Sequence, residues 1–266
     1  MTANETAYEP SPSDPNLYLQ PNYTSQLLTN ITKANHTLLN SLRLSKQHSL
    51  PIPIQPNISL ARFAELGARD PDLAWPIWQA LMEELTTPSS PTAGEGQERP
   101  PIFMSLDGAD HIMRTSAYPD AESKPIHAHN LALVRDFTQF LTGERKLPNG
   151  GAVLAALSQS NRAAAPTLDF CLEKRLLQQA GDKEGDAMQW NPYVQSDEAV
   201  MKVMKEVEVA KLRGLSKEEA RGVMEYYAQS GLLRANVTQG LVSERWTLAG
   251  GGVVGELERA SVGMRF

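Results

Sequence analysis

The sequence predicts an α/β fold, a small parallel sheet flanked by helices, on three observations. Two apolar runs, 102–106, broken only by Ser105, and the uninterrupted 152–157, have the length of strands. A segment of helical periodicity separates them, and continuous apolar strands joined through helices belong to parallel sheets covered on both faces. Apolar residues at helical spacing occupy most of the remaining chain.

The elements follow in order. Residues 1–21 are rich in Pro, Asn, Ser and Tyr without periodicity, which predicts an extended, disordered arm. From Thr24 to about Gln47, the residues Leu27, Leu28, Ile31, Leu38, Leu39 and Leu42 mark one face of an amphipathic helix. Leu50–Asn57 alternates Pro with Ile and is expected to be extended. Ser59 then caps a helix through Ala68. Asp70-Pro71 reads as an N-cap with proline in the first turn, and Leu73, Ile77, Leu81 and Leu85 continue one stripe, with Pro76 bending its early turns. Residues 86–100 form a Pro/Gly/Ser-rich loop leading into the first strand, which ends in Asp107-Gly108. A helix from about His129 to Leu141 stops at Gly143.

The second strand, 152–157, is followed by the polar group Ser158, Gln159, Ser160 and Asn161. Leu168–Gln179 suits a helix, and 181–197 a polar connection. Val203–Leu212 reads as either helix or strand, and Val207, Val209 and Gly214 favour a third strand at its end, over about 206–212. Ser216-Lys217-Glu218-Glu219 has the capping-box pattern, with Ala220, Val223, Met224 and Tyr227 at helical spacing before Gly231. Residues 241–248 read as extended, Gly250–Gly252 as a turn, and a last helix runs through Arg259.

Composition narrows the function. No apolar run reaches the roughly 20 residues that a membrane-spanning helix needs. With 25 basic against 31 acidic residues, the surface as a whole repels a phosphate backbone, so any nucleic-acid contact has to be local. The lone Cys171 closes no intramolecular disulfide, which fits a reducing or matrix-like interior. Sequons such as those at Asn22 and Asn57 matter only in a secretory route. The first twenty residues carry Glu5, Glu9 and Asp14 but no Lys or Arg, unlike a signal peptide or an Arg-rich presequence, so any import signal is expected upstream of the chain.

An apolar strand leading directly into Asp107 is the arrangement by which P-loop NTPases set a carboxylate beside the nucleotide's magnesium; the bland alternative is an Asp-Gly turn. Ser158, just past the second strand, stands where such proteins keep a side chain that senses the terminal phosphate, and its alternative is a solvated loop. No G-x-x-x-x-G-K-[ST] occurs in the 266 residues, so this chain supplies neither the amide cradle nor the phosphate-binding lysine. A rival set, His127 and His129 with Asp107, Asp110 and His111, offers the donors of a metal-dependent hydrolase. Its structural alternative makes one of the two histidines at this loop-to-helix junction a polar cap and the other a half-exposed surface residue. Trp75, Trp78 and Trp246 read as core or protein-contact residues at least as readily as base-stacking platforms.

The stretches ISLARFAELGARDPDLAWPIWQALMEEL (58–85), PPIFMSLDGADHIMR (100–114), HAHNLALVRDFTQFLTG (127–143), LPNGGAVLAALSQSN (147–161), LRGLSKEEARGVMEYYAQSGLL (212–233) and LAGGGVVGELERA (248–260), in this order and spacing, resemble the mitochondrial small-subunit ribosomal proteins of the death-associated protein 3 family, in its fungal branch. The resemblance implies a P-loop NTPase-like (AAA-like) domain, here truncated over about 22–214 because the P-loop lies upstream, and a small helical lid-like domain over 215–266. It implies Asp107 as the Walker-B-type, magnesium-facing aspartate and Ser158 as the sensor-like residue of a GTP or GDP site. It further implies a structural rather than enzymatic role in the mitochondrial small ribosomal subunit, among small-subunit ribosomal proteins with limited ribosomal RNA contact, in the matrix. The two strands are expected to pair in parallel, with 206–212 either apart across a gap or sliding in beside them.

Overall fold

The computed structural model describes residues 8, 10–89, 98–157 and 163–262. They form a mixed α/β chain with a small parallel sheet and, among the described residues, eleven α-helices. The chain divides into two compact units. One comprises 1–156, 165–171 and 189–207, the other 157–164, 172–188 and 208–266.

The first unit is built on α1 (Pro21–Ala34), α2 (His36–Ser41), α3 (Leu60–Arg69) and α4 (Pro71–Leu85). Ser59 starts α3 by accepting the Arg62 amide at 3.3 Å, and Asp70 starts α4 by accepting the Asp72 amide at 3.0 Å, with Pro71 in the first turn as expected. Leu28, Leu60, Phe63, Ile77 and Leu81 are fully buried between these helices. Gly67 permits the close approach, since a Cβ there would stand 2.7 Å from Leu28 Cδ1 and 2.9 Å from Ile77 Cβ. Each buried aliphatic side chain contributes about 1.5–3 kcal/mol, which makes this cluster the main source of the unit's stability.

The long helix expected over 24–47 is instead two helices that end at Ser41. At Asn35, the C-cap of the first, the side-chain Nδ2 donates to the Ile31 carbonyl at 3.1 Å and shares that acceptor with the last helical amide, a local bond that competes with helix continuation. Beyond Leu42 the chain is extended, with Leu60 N donating to Leu42 O at 3.0 Å and Leu44 N to Ile58 O at 3.1 Å. The arm is ordered where it is described: β1 (Pro10–Ser11) and β2 (Asp14–Tyr18) pair antiparallel. Arg135 holds this hairpin, its Nη1 2.6 Å from Asp14 Oδ2 and its Nη2 donating to Asn16 O at 3.0 Å, a link across 121 positions that no local pattern announces.

β3 (Ile102–Asp107) and β6 (Gly151–Ala156) pair in parallel, from Ile102 opposite Gly151 to Asp107 opposite Ala156, as expected. Between them lies an unforeseen hairpin, β4 (Thr115–Pro119) and β5 (Pro125–His127), turned by Asp120, whose Oδ1 accepts the Glu122 and Lys124 amides at 2.9 and 2.8 Å. A 3₁₀ turn occupies Ala128–Asn130, so α5 (Ala132–Leu141) begins later than His129.

The expected third strand is absent among the described residues. Asp197 caps α8 (Glu198–Glu206), and 207–212 have no regular structure. Val200, Val203 and Met204 are its buried residues, a helical spacing that outweighs the β-propensity of the valines. α6 (Pro166–Gln179) and the short α7 (Lys183–Ala187) complete this part of the chain.

The second unit packs α9 (Lys217–Gln229), α10 (Gln239–Leu248) and α11 (Val254–Val262) around Ala220, Met224, Val242, Ala249 and Leu257. Residues 241–248, expected to be extended, belong to α10. Thr238 caps that helix at Leu241 N, and Val242, Trp246 and Ala249 share its inner face. Trp246 Nε1 donates to Leu215 O at 2.6 Å, and Gly252, at φ +84°, lies where any Cβ would strike that same carbonyl. The capping box is formed: Ser216 Oγ accepts the Glu219 amide at 3.2 Å and Glu219 Oε2 accepts the Ser216 amide at 2.8 Å. Ser216→Ala is therefore expected to lower stability by about 1 kcal/mol, read as a shifted urea midpoint; an unchanged midpoint would contradict a working cap.

Candidate functional site

The carboxyl edge of the β3–β6 pair is the first candidate. Asp107 ends β3 with its side chain exposed, and its Oδ1 accepts the next amide, Gly108 N, at 2.9 Å. Gly108 is left-handed at φ +70° and turns the chain into the 3₁₀ turn Ala109–His111, where Asp110 is fully buried and His111 Nε2 lies 3.8 Å from Asp110 Oδ2. Parallel register brings Asp107 opposite Ala156, two positions before Ser158, which lies outside the described residues. Period-2 alternation puts Phe103, Ser105 and Asp107 on one face with Ala152, Leu154 and Ala156. That face is open, with Phe103 66% and Leu154 55% exposed. The opposite face, through Met104 and Val153, packs on the helical core.

The histidines do not join Asp107 or Asp110 in a metal-holding group; among the described residues no three His, Cys, Asp or Glu side chains form one. His127 Nδ1 accepts the His129 amide at 3.1 Å, the capping role foreseen for one of the pair. With Nδ1 so used, the neutral ring carries its proton on Nε2 and donates it to Asp197 Oδ2 at 2.7 Å. Asp197 in turn caps α8 through Val200 N at 3.2 Å and donates its own amide to Thr167 Oγ1 at 3.1 Å. His129 is buried rather than half-exposed, and its ring meets that of His127 edge-on at 4.8 Å. Burial, with the neighbouring His127 adding to it and Asp197 opposing, pushes the His129 imidazole down to about 4, so it is neutral in the folded chain.

Two charged clusters escaped the sequence reading. Glu84, on the apolar stripe of α4, is fully buried and accepts from Ser45 N at 3.0 Å, Lys46 N at 3.3 Å, His48 Nε2 at 2.8 Å and the Arg99 guanidinium. Arg99 also donates to Glu84 O at 2.8 Å and Arg43 O at 2.7 Å. Burial raises the Glu84 carboxyl, but the hydrogen bonds from His48, Ser45 and Arg99 outweigh it and hold the group below the usual carboxylate range. In the second cluster, Asp136 accepts from Trp78 Nε1 at 2.9 Å and pairs with Arg145, whose guanidinium lies 4.3 Å from the Phe140 ring centre. The one legible signal was Glu84 itself, a carboxylate three positions after Leu81 on a buried stripe. All these groups fasten segments distant in sequence, and their donors and acceptors are spent on that task.

Comparison with known proteins places the chain among ribosomal proteins. Residues 1–260 match the family model described as mitochondrial ribosomal death-associated protein 3. The small ribosomal subunit protein mS29 of Neurospora crassa is 42% identical over 264 residues, 98% of this chain and 54% of that protein. The protein of the same name from Schizosaccharomyces pombe is 22% identical over 239 residues, 88% of this chain and 45% of that protein. The chain thus spans about half the length of the relatives it matches. With the family model covering nearly every position, the chain belongs to the mitochondrial ribosomal death-associated protein 3 family.

Proposed function

We propose that the chain is a structural component of the mitochondrial small ribosomal subunit, acting in mitochondrial translation in the matrix and held chiefly by ribosomal protein neighbours with limited ribosomal RNA contact. The observation that carries this is the 42% identity to a small-subunit protein along 98% of the chain. The polar clusters support a structural role over an enzymatic one, since His127, Asp197, Glu84 and Arg99 are engaged in caps and buried ties. Among the described residues no helix is long and apolar enough to cross a membrane.

On this reading β3 and β6 are two strands of a P-loop NTPase-like, AAA-like sheet, with Asp107 in the magnesium-facing position, Ser158 sensor-like and residues 215–266 the lid-like helical part. Parallel pairing, the strand-end aspartate and the open sheet face support it, because complete parallel sheets carry helices on both faces. A guanine nucleotide with magnesium, which the family resemblance implies, does not fit the residues present. Asp107 is exposed with its carboxylate turned to Gly108 N, and the sequence holds no G-x-x-x-x-G-K-[ST] to fix the phosphates.

Two outcomes are expected. Calorimetry with GTP and magnesium on the 266-residue chain shows no measurable binding, and sub-micromolar affinity would contradict the account of Asp107. A tagged chain in Neurospora mitochondria migrates with the small subunit in sucrose gradients, and Asp107→Asn leaves that migration unchanged. Free migration of the unsubstituted chain would overturn the ribosomal reading, whereas loss caused by Asp107→Asn alone would argue for a working nucleotide site.

A further inference from the structure

The 31 acidic residues are distributed unevenly: residues 15–64 contain no aspartate or glutamate, yet hold Lys33, Arg43, Lys46 and Arg62. This acid-free stretch builds α1, α2 and the start of α3, whose face is basic where Lys33 and Arg62 stand exposed, while Lys46 is engaged with Glu83 of α4.

In that face lies a hollow of about 260 Å³ within the first unit, lined by Thr29, Thr32, Lys33, His36, Glu65 and Arg69, with Ala68 at its wall. Lys33 and His36 are exposed at the junction of α1 and α2. Arg69 is 78% exposed and pairs with Glu65 at 3.1 Å, one turn away on α3. Such a solvent-exposed pair is weak, so the guanidinium is available to a stronger acceptor. Arg62 is exposed on the same face of α3, two turns before Arg69.

Thr32 adds an independent observation. The other three serine and threonine hydroxyls of α1 all donate to carbonyls, Thr24 to Gln20 at 2.8 Å, Ser25 to Ala68 at 2.7 Å and Thr29 to Ser25 at 3.0 Å. Thr32 Oγ1 is buried and has no partner, although the residue lines the hollow. A buried hydroxyl without an acceptor is unfavourable, and a hydrogen bond to an arriving oxygen would relieve it.

We propose that this hollow and the basic face around it seat the phosphate backbone of an RNA segment, with Lys33 and Arg69 taking neighbouring phosphates and Thr32 donating to one of them. The inference rests on the ribosomal reading above and names the surface through which the chain would touch RNA. Lys, Arg, His and Thr are residues that position a phosphate backbone, and the hollow's lining carries none of the Phe, Tyr or Trp anchors on which protein interfaces turn. The chain as a whole is acidic, so contact with RNA has to be local.

The test measures anisotropy of a fluorescein-labelled RNA hairpin titrated with the full chain at several salt concentrations. The double variant Lys33→Glu with Arg69→Glu is compared with Lys33→Arg with Arg69→Lys, and with a control, Lys211→Glu with Arg234→Glu, in the second unit. The charge reversal is expected to weaken binding tenfold or more and to reduce the slope of log affinity against log salt by roughly 1.5, the share of two phosphates. The conservative pair and the control should bind as the unsubstituted chain does. Ultraviolet crosslinks of the unsubstituted chain to the RNA should map to peptides from α1–α3, independently of how any variant folds. Equal binding by reversal and control, crosslinks elsewhere, or no RNA binding by the unsubstituted chain would each overturn the proposal. A chain that binds no RNA but leaves the small subunit when Lys33 and Arg69 are reversed would assign the face to an acidic protein neighbour. Sedimentation with small subunits alongside failure of the RNA arm would leave the ribosomal reading standing and remove only this surface.

Discussion

Glu84→Ala is expected to destabilise the first unit by about 3–5 kcal/mol, measured as the shift of its urea transition. The size follows from what the substitution strands. Arg99 is almost wholly buried, and Glu84→Ala takes from its guanidinium the fully buried carboxylate with which it pairs. The Ser45 and Lys46 amides and His48 Nε2 lose their shared acceptor at the same time, releasing the 43–48 segment from the end of α4. Because the stability of a domain is only about 5–15 kcal/mol, a loss of this size consumes a large fraction of it. Removing both charges together, as Glu84→Leu with Arg99→Met, should cost less than Glu84→Ala alone, since a buried ion pair is often replaceable by apolar groups of similar volume. A Glu84→Ala loss below about 1 kcal/mol would mean that water or another acceptor satisfies the stranded donors.

His129 makes stability depend on pH in the opposite sense to a stabilised cation. Its folded value of about 4 lies below the ordinary 6.5, so between these values the unfolded chain binds a proton that the folded chain does not. Stability contributed by the neutral ring is complete above pH 6.5 and disappears as pH falls through about 4. The expected loss between pH 7 and pH 5 is about 2 kcal/mol, approaching roughly 3 kcal/mol at lower pH. His129→Leu, which keeps an apolar occupant where the ring's Nε2 has no partner, should remove most of this dependence. The Glu84 contribution has its own window: its carboxyl is held below the usual range, so its share is present at neutral pH and is lost only as pH falls through that lower value. A flat stability profile between pH 7 and pH 5 would show that His129 is solvated.

Local chemistry was legible where a few adjacent residues decide the outcome. Ser59, Asp70-Pro71 and Ser216 with Glu219 each start a helix where their side chains can reach free amides, and the sequence announces all three. The parallel pairing of 102–107 with 151–156 was legible too, because both runs are largely apolar, Ser105 the one polar residue before Asp107, and separated by a helical segment. The failures are cases where a distant partner or a periodicity overrode residue preference. Val207 and Val209 suggested a strand, but the helix that Val200, Val203 and Met204 set against a buried face runs to Glu206, and 207–212 beyond it form no regular structure. Residues 241–248 read as extended until Trp246 found the Leu215 carbonyl and Val242 the second unit's core. Of the site residues, Asp107 stands at the strand end where the sequence put it, whereas the Glu84 cluster draws on positions 43 to 99 and leaves no local motif.

The central claim, that this chain is built into the mitochondrial small ribosomal subunit, is tested most directly by quantitative mass spectrometry of salt-washed small subunits from mitochondria that carry it. The account predicts peptides from across both units in amounts equal to those of the other small-subunit proteins, unchanged by nucleotide and by Asp107→Asn. Peptides that wash away with salt, or that are present far below the level of the other subunit proteins, would contradict it.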